Sequence, residues 1–229
     1  MAEEERALVA LGGRVLDVAG LSDMVWGHVS LRDPGGRGIW IKARGLGFDE
    51  VTAANVQLVG WDGELLEGEG PQHREYPIHT EILRARVDVA SVVHVHPPHA
   101  IAFGASGREL QVFSHAAGFI GTGLRRYAGA PGLVDTAEGG VALARALGGD
   151  RALLLTGHGV VTAGPSVELA VMTAVTLERA CEIQLLADGY GGVAAPLGQF
   201  EAARAYAHTL SDDHLLGAWR YLARRVGAA

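Results

Sequence analysis

The segment 89-VASVVHVHPP-98 decides the fold, because it combines the pattern of a buried β-strand with two imidazole side chains. A short, β-branched apolar run that ends at prolines is typical of a strand inside a sheet. Side chains two residues apart on a strand point to the same face, so His94 and His96 lie within reach of one ion. An apolar strand gains nothing from two imidazoles unless they are hydrogen-bonded or bind a ligand. The spacing indicates two metal ligands, with hydrogen-bonded core histidines as the alternative.

The sequence on either side of this segment alternates between helical and strand patterns. Apolar spacing predicts helices at about Glu3–Ala19, Pro77–Ala85, Ala137–Leu147 and Ser166–Ala187, the last with Ser166 as N-cap and Gly189 as its stop. Strands are predicted at Val25–Arg32, Gly38–Lys42, Val56–Trp61, Val89–His96, Ala152–Thr156 and Val160–Ala163. Because hairpin turns join several of these strands, we expect an α/β fold with three layers, α/β/α, around a mixed or mainly antiparallel sheet. Residues 1–229 are expected to form one domain, with 190–229 as a C-terminal helical tail.

Composition narrows the class of function. The chain has 229 residues, of which 48% are hydrophobic, and 26 acidic residues against 19 Lys and Arg give a net charge of -7. This composition argues against disorder and against a nucleic-acid-binding protein, and it favours a small-molecule substrate. The acidic N-terminal segment and the lack of a long apolar run predict no membrane association and a cytoplasmic location. The single cysteine, Cys181, excludes an intramolecular disulfide and is expected to be a buried small hydrophobe.

Lysine occurs once, at Lys42, and every other fixed positive charge is arginine. Schiff-base chemistry needs an amine nucleophile, and the only side-chain candidate lies within a predicted strand. A metal ion is therefore the more plausible electron sink.

Two further residues can join the histidine pair. His158 lies between Gly157 and Gly159 in the tight connection of two predicted strands, where glycines allow close approach to a ligand. As a third imidazole it would leave a metal position open for substrate. Glu75 precedes a predicted helix and can serve as a ligand or a general base, with a carboxylate at a helix N-terminus as the alternative. His79, four residues later, is expected to have a structural or ligand-supporting role.

Taken in order, these motifs make the chain resemble the class II aldolase and adducin-head family. The similar segments are Trp26–Arg32, Glu75–His79, Val92–His96 and His158-Gly159. The resemblance implies an α/β/α fold around a mainly antiparallel sheet, and a homotetramer with sites at subunit interfaces. It also implies one divalent ion per subunit, usually zinc in the aldolases and manganese or iron in relatives. The residues that match the family's metal ligands are His94, His96 and His158, and Glu75 matches its catalytic acid/base.

Several positions depart from the sugar-phosphate aldolases of this family. Where those enzymes carry an amide and hydroxyls that bind phosphate, this chain has imidazoles and guanidiniums, which also bind anions. The expected substrate-binding residues are His28, Arg44, Gly45, His73 and Arg74. The family's proton-donating tyrosine corresponds to Ala116, so His115 or Tyr206 is expected to deliver the proton.

The resulting hypothesis is a divalent-metal-dependent carbon–carbon lyase that acts on a small anionic substrate through a metal-stabilised enolate. The altered phosphate-binding positions favour decarboxylation of a hydroxylated carboxylic acid, an aromatic acid included. Aldol cleavage of a small hydroxy-carbonyl compound or a sugar phosphate is the alternative. A non-haem iron oxygenase and a non-catalytic, adducin-like binding domain are further alternatives.

Overall fold

A computed structural model of the chain describes residues 2–129, 132–192, 198, 201, 204 and 211–227. The described α-helices are α1 (Ala2–Val18), α2 (Tyr76–Ala85), α3 (Pro98–Ser106), α4 (His115–Ile120), α5 (Ala137–Leu147), α6 (Val167–Gly189) and α7 (Asp212–Arg225), and two short 3-10 helices span Phe48–Glu50 and Ala53–Asn55. The described strands are β1 (His28–Arg32), β2 (Gly38–Lys42), β3 (Val56–Gly60), β4 (Leu65–Glu67), β5 (Ser91–Val95), β6 (Arg125–Tyr127), β7 (Ala152–Leu155) and β8 (Gly159–Gly164).

The eight strands form one sheet in the order β4-β3-β2-β1-β5-β8-β7-β6. Every neighbouring pair is antiparallel except β6 and β7, which are parallel. Helices α2 and α5 pack on one face, and α1, α3, α4 and α6 lie on the other. The predicted α/β/α architecture with a mainly antiparallel sheet is confirmed.

Strand β5 is central, and its side chains alternate between the two layers. Val93 and Val95 are buried in the core cluster that contains α6, whereas Val92 is buried in the cluster on the side of α2 and α5. His94, two residues after Val92, therefore lies on the side of α2 and α5. This alternation places an imidazole where a purely structural strand would carry an apolar residue.

Strand β1 is shorter than predicted. Residues from Val25 were expected to belong to it, but it begins at His28. A tight turn precedes it, with a bridge between Asp23 and Trp26 and positive φ angles of 49° at Met24 and 80° at Gly27. Since a β-strand requires negative φ, the backbone cannot join the sheet before His28.

Helix α1 crosses the α6 layer closely, which explains the glycines in its middle. A β-carbon on Gly12 would lie 2.8 Å from Val167 Cγ1, and one on Gly13 would lie 3.0 Å from Phe48 Cδ1. The glycines lower helix propensity but allow this close packing.

The C-terminal helix α7 packs on α6, with Leu215, Trp219 and Ala223 buried in the same core cluster as α6 residues. Much of the predicted tail lies outside the described residues, so the single-domain boundary stays a prediction. Cys181 is fully buried, as expected. Among the described helices, none combines the length and the apolar character that crossing a bilayer requires.

Candidate metal centre

Three imidazoles converge where β5 ends and β7 turns into β8. His94 lies in β5, His96 immediately follows that strand, and His158 lies in the turn between β7 and β8. The antiparallel pairing of Val95 with Val160 brings the two strand ends together. One ligand atom from each of the three imidazoles lies within 4.8 Å of the others. The structure thus brings together the three residues that the sequence predicts as metal ligands.

Hydrogen bonds orient two of these rings. His94 Nδ1 lies 2.9 Å from the carbonyl oxygen of Val160, and His96 Nδ1 lies 3.1 Å from Oδ2 of Asp23. Both partners accept hydrogen bonds, so each Nδ1 carries the proton and donates. Burial lowers the pKa of both imidazoles; the neighbouring His96 lowers that of His94 further, while Asp23 offsets part of the lowering at His96. The two rings are therefore neutral, and each Nε2 carries a lone pair.

Those two Nε2 atoms face each other at 3.1 Å. With both protons on Nδ1, the close pair places two lone pairs against one another, which is unfavourable without a positive charge between or beside them. A divalent cation removes this conflict, and orientation of the outer nitrogen by a carbonyl or carboxylate is typical of metal-bound histidines. The donor set therefore fits a divalent metal ion.

Glu75 occupies the N-cap position of α2, where Pro77 in the first turn favours the helical start. Its Oε1 accepts a hydrogen bond of 3.1 Å from the Val134 amide, and its Oε2 lies 3.9 Å from His94 Nε2. Burial raises the pKa of this carboxyl, and Asp135 raises it further; the Val134 hydrogen bond acts in the opposite direction. One carboxylate oxygen is thus fixed, while the other faces the imidazoles.

A second group of histidines lies beside Glu75. His28 Nε2 is 3.6 Å from Glu75 Oε2, and the ring of His73 packs against that of His28 with centroids 4.2 Å apart. Burial lowers the pKa of His73 to about 3. His79 lies behind His28, with its Nε2 2.6 Å from His28 Nδ1 and its Nδ1 2.7 Å from Ser30 Oγ. His28 and His73, predicted from the sequence as substrate contacts, thus border the carboxylate.

The other predicted substrate contacts are on the surface. Arg44 and Arg74 are exposed, and Arg74 pairs with Asp135 at 2.6 Å. Gly45, with φ of +91°, adopts a conformation that favours glycine.

Of the two predicted proton donors, His115 is described by the structure, and it does not lie beside the imidazoles. His115 begins α4 and lines a cavity of about 890 Å³ between α4, α6 and α7. His158 lines a different cavity of about 400 Å³, together with Tyr127, Leu133 and Val134. Tyr206 lies outside the described residues.

Lys42 is buried next to this histidine group, with 2% of its surface exposed. Its Nζ donates hydrogen bonds to the carbonyl oxygens of Val25, at 3.0 Å, and Leu46, at 2.6 Å. Burial lowers its pKa to about 8. The amine thus ties together two loops and has no free path to a carbonyl substrate.

The sequence did not indicate Asp23, Val134 and Val160, which form hydrogen bonds with His96, Glu75 and His94 and so orient these side chains. Their partners are 73, 59 and 66 residues away in the chain. Two of the three act through backbone groups, which no residue pattern reveals. Asp23 gives only the weak signal of an acidic residue in a turn.

Comparison with known proteins places these features in context. Residues 7–185 match the family described as Class II Aldolase and Adducin N-terminal domain. The chain is 38% identical to a 3,4-dihydroxyphthalate decarboxylase from Terrabacter sp. (strain DBF63), with 97% of each chain covered. It is 33% identical to a protein of the same name from Arthrobacter keyseri, with 98% of this chain and 94% of the other covered. The solved structure of L-fuculose 1-phosphate aldolase from Glaciozyma antarctica PI12 superposes with a TM-score of 0.83 at 23% identity, covering 98% of this chain and 88% of the other, which supports the fold.

Proposed function

Because the chain belongs to the class II aldolase and adducin family, a family of divalent-metal-dependent proteins, we propose that His94, His96 and His158 hold its metal ion and that Glu75 moves the proton. The protein is a metal-dependent lyase of this superfamily, and its substrate is a small molecule. The observation that carries the proposed site is that the Nε2 atoms of His94 and His96 face each other at 3.1 Å while each Nδ1 is held by an acceptor, with His158 beside them.

The reaction that the relatives' names favour is decarboxylation of a hydroxylated aromatic acid. We propose a 3,4-dihydroxyphthalate-like substrate, in keeping with two relatives of that name that match nearly the whole chain. The cavity beside His158 is lined by Tyr127, Leu133 and Val134, side chains suited to a flat ring. We assign the carboxylates of the ring to the guanidinium group of Arg44 or Arg74, both of which are exposed.

In this reaction the bond between the ring carbon and the carboxylate carbon breaks, and carbon dioxide leaves. The electron pair stays on the ring carbon, which must then gain a proton. A bound divalent ion supplies Lewis-acid stabilisation of the negative charge that develops as the bond breaks. Glu75 delivers the proton, because its buried carboxyl has a raised pKa and its Oε2 faces the centre while Val134 fixes Oε1.

The remaining residues are assigned to the surroundings of this centre. We propose that Arg44, Gly45, His73 and Arg74 contact the anionic groups of the substrate. His115, and Tyr206 in the C-terminal tail, are proposed to donate or relay protons. In one chain, His115 lines a different cavity from His158, so its participation requires a second subunit. A homotetramer with its sites at subunit interfaces meets this requirement, and native mass spectrometry tests it.

Aldol cleavage is the second candidate, because it leaves an electron pair on carbon in the same way and uses the same three imidazoles and Glu75. The exposed guanidiniums can bind a phosphate as well as a carboxylate. The two reactions are distinguished by their products, since one releases carbon dioxide and the other an aldehyde.

The first experiment is metal analysis of protein purified without added metal, followed by turnover. We expect about one divalent ion per chain, with zinc as the ion to test first and manganese or ferrous iron as the alternatives, and release of carbon dioxide from 3,4-dihydroxyphthalate. The double variant His94→Ala/His96→Ala should lose both the ion and turnover, and Glu75→Gln should keep the ion and lose turnover. His99→Gln, at a partly exposed imidazole on α3, is the matched control that should retain both. A wild-type protein that binds no added divalent ion would refute the proposed centre.

A further inference from the structure

A fourth imidazole, on strand β1, belongs to a second group of possible metal ligands, which shares His94 with the first group. His28 and His94 are directly opposite each other in the antiparallel pair formed by β1 and β5. Side chains at opposed positions of paired strands point to the same face of the sheet. The two rings lie with centroids 5.1 Å apart, and both residues are fully buried. The strand register therefore places His28 on the face that carries the predicted metal ligand.

The hydrogen bonds behind His28 fix the position of its proton. Ser30 Oγ donates to the backbone carbonyl of Val92 at 3.5 Å, and it lies 2.7 Å from His79 Nδ1, from which it therefore accepts. The other nitrogen of His79, Nε2, faces His28. His79 therefore donates through Nδ1, and its Nε2 carries a lone pair. That lone pair accepts from His28 Nδ1 at 2.6 Å. His28 consequently presents an unprotonated Nε2 on its other side.

This nitrogen lacks a hydrogen-bond partner among the described residues, although it is buried. Leaving a buried acceptor unpaired costs free energy, so an unpaired lone pair in a functional site indicates a ligand. The atom lies 3.6 Å from Glu75 Oε2, and ligand atoms of His28, Glu75 and His94 lie within 4.8 Å of one another. Two imidazoles and one carboxylate are a known set of ligands for a divalent metal.

The ring nitrogens of His28 carry the proton and the lone pair in the same arrangement as those of His94 and His96. In His28, His94 and His96 alike, Nδ1 donates outward to a fixed acceptor and Nε2 points inward with a lone pair. This arrangement is the one that protein structures use to orient metal-bound imidazoles.

We propose that His28 is an additional ligand of the metal ion, and that His79 positions it. The inference rests on the proposed function, since it assumes that the ion binds His94, and it replaces the substrate contact expected for His28 from the sequence. Four imidazoles already fill the four positions of tetrahedral zinc, and the proposed reaction needs one further position for substrate. The set therefore favours an ion that accepts five or six ligands, such as ferrous iron or manganese.

X-ray absorption spectroscopy of the wild-type protein loaded with cobalt(II) tests the inference without a mutation, because multiple scattering counts the bound imidazoles. We expect four imidazoles, and a coordination number above four. His28→Asn should reduce the count to three and weaken cobalt binding about tenfold or more, in a competition titration with a chromophoric chelator. His73→Asn changes an imidazole that packs against His28 but belongs to neither ligand group, so it should leave the count at four.

The outcomes separate this inference from the proposed function. Three imidazoles in both the wild-type protein and His28→Asn would overturn the role of His28 and leave the centre of His94, His96 and His158 intact. A wild-type protein that binds no cobalt would overturn both. Circular dichroism of each variant shows whether a lost imidazole reflects lost coordination or lost fold.

Discussion

At the scale of single residues, substitution of Asp23 tests whether a hydrogen bond to His96 orients that imidazole for metal binding. Its Oδ2 accepts from His96 Nδ1 at 3.1 Å and so fixes the tautomer that leaves His96 Nε2 free for a metal. Asp23→Ala should weaken zinc binding about 10- to 100-fold, as expected for the loss of a group that orients a ligand. A competition titration with a chromophoric zinc chelator measures the change.

Asp23→Asn is the matched control, because its amide oxygen can still accept from His96. It should bind zinc more tightly than Asp23→Ala. Equal zinc affinity in Asp23→Ala and the wild-type protein would contradict a role for this carboxylate in positioning His96.

At the scale of elements, the hairpin of β1 and β2 is closed by a buried carboxylate. Asp33 accepts hydrogen bonds from Arg37 Nε at 2.8 Å and from Trp40 Nε1 at 3.1 Å. The Arg37 side chain, above all, holds the pKa of Asp33 below its usual value of 3.8, and Trp40 contributes. Asp33→Asn should lower the free energy of unfolding by about 1.5–3 kcal/mol at pH 6, the range for hydrogen bonds to a charged group.

This contribution has a defined pH dependence. Since the pKa of Asp33 is lower in the folded state than in the unfolded state, its stabilisation is complete above about pH 4 and is lost as the pH falls through the folded-state value. The difference between the wild-type protein and Asp33→Asn in urea denaturation should therefore shrink below about pH 4. A difference that grows toward acid pH would contradict the assignment.

Helix α6 gives a second test at this scale. Ser166 is its N-cap, and the hydroxyl accepts from the Leu169 amide at 3.3 Å. Ser166→Ala should lower the free energy of unfolding by about 1 kcal/mol. Ser166→Asn should retain most of the stabilisation that the N-cap provides, because Asn is also a good N-cap residue. Urea denaturation of both variants measures the effect, and equal losses would show that the cap contributes little.

The elements also show what a sequence pattern can predict. The boundaries of α5 and α6 and the N-cap Ser166 agree with expectation, because long periodic runs and capping residues are local signals. Strands β4 and β6, of three residues each, and the short helices α3 and α4 were not predicted. Their segments are too short to show a period. Only the pairing of β4 with β3, and of β6 with the more distant β7, makes these two segments part of the sheet.

At the scale of the whole molecule, the ion should stabilise the fold by binding only the native state. When the free concentration of the ion is about 100 times its Kd, binding raises the free energy of unfolding by about 2.7 kcal/mol. For a chain of this size, that increase raises Tm by about 5–10 °C. Removing the ion with a chelator should reverse this shift in a thermal melt. The variant His94→Ala/His96→Ala should have a Tm that does not respond to metal or chelator, and a response equal to that of the wild-type protein would place the ion elsewhere.

The resemblance seen in the ordered motifs is confirmed by the match over residues 7–185, and so is the lyase class. His94 and His96 could be found because two residues on one strand share a face by geometry alone. The hydrogen bond between His28 and His79 could not be predicted, because it joins the ring nitrogens of residues that are 51 positions apart in the chain.

The burial of Lys42 has a practical consequence for handling the protein. No other lysine exists in the chain, and the Lys42 amine is held by two carbonyl groups inside the fold. Reagents that couple to side-chain amines, such as succinimidyl dyes and biotins, therefore find no accessible target on the folded surface. Labelling of Lys42 by such a reagent would report opening of the loops that it joins, so the extent of its modification serves as a probe of local unfolding.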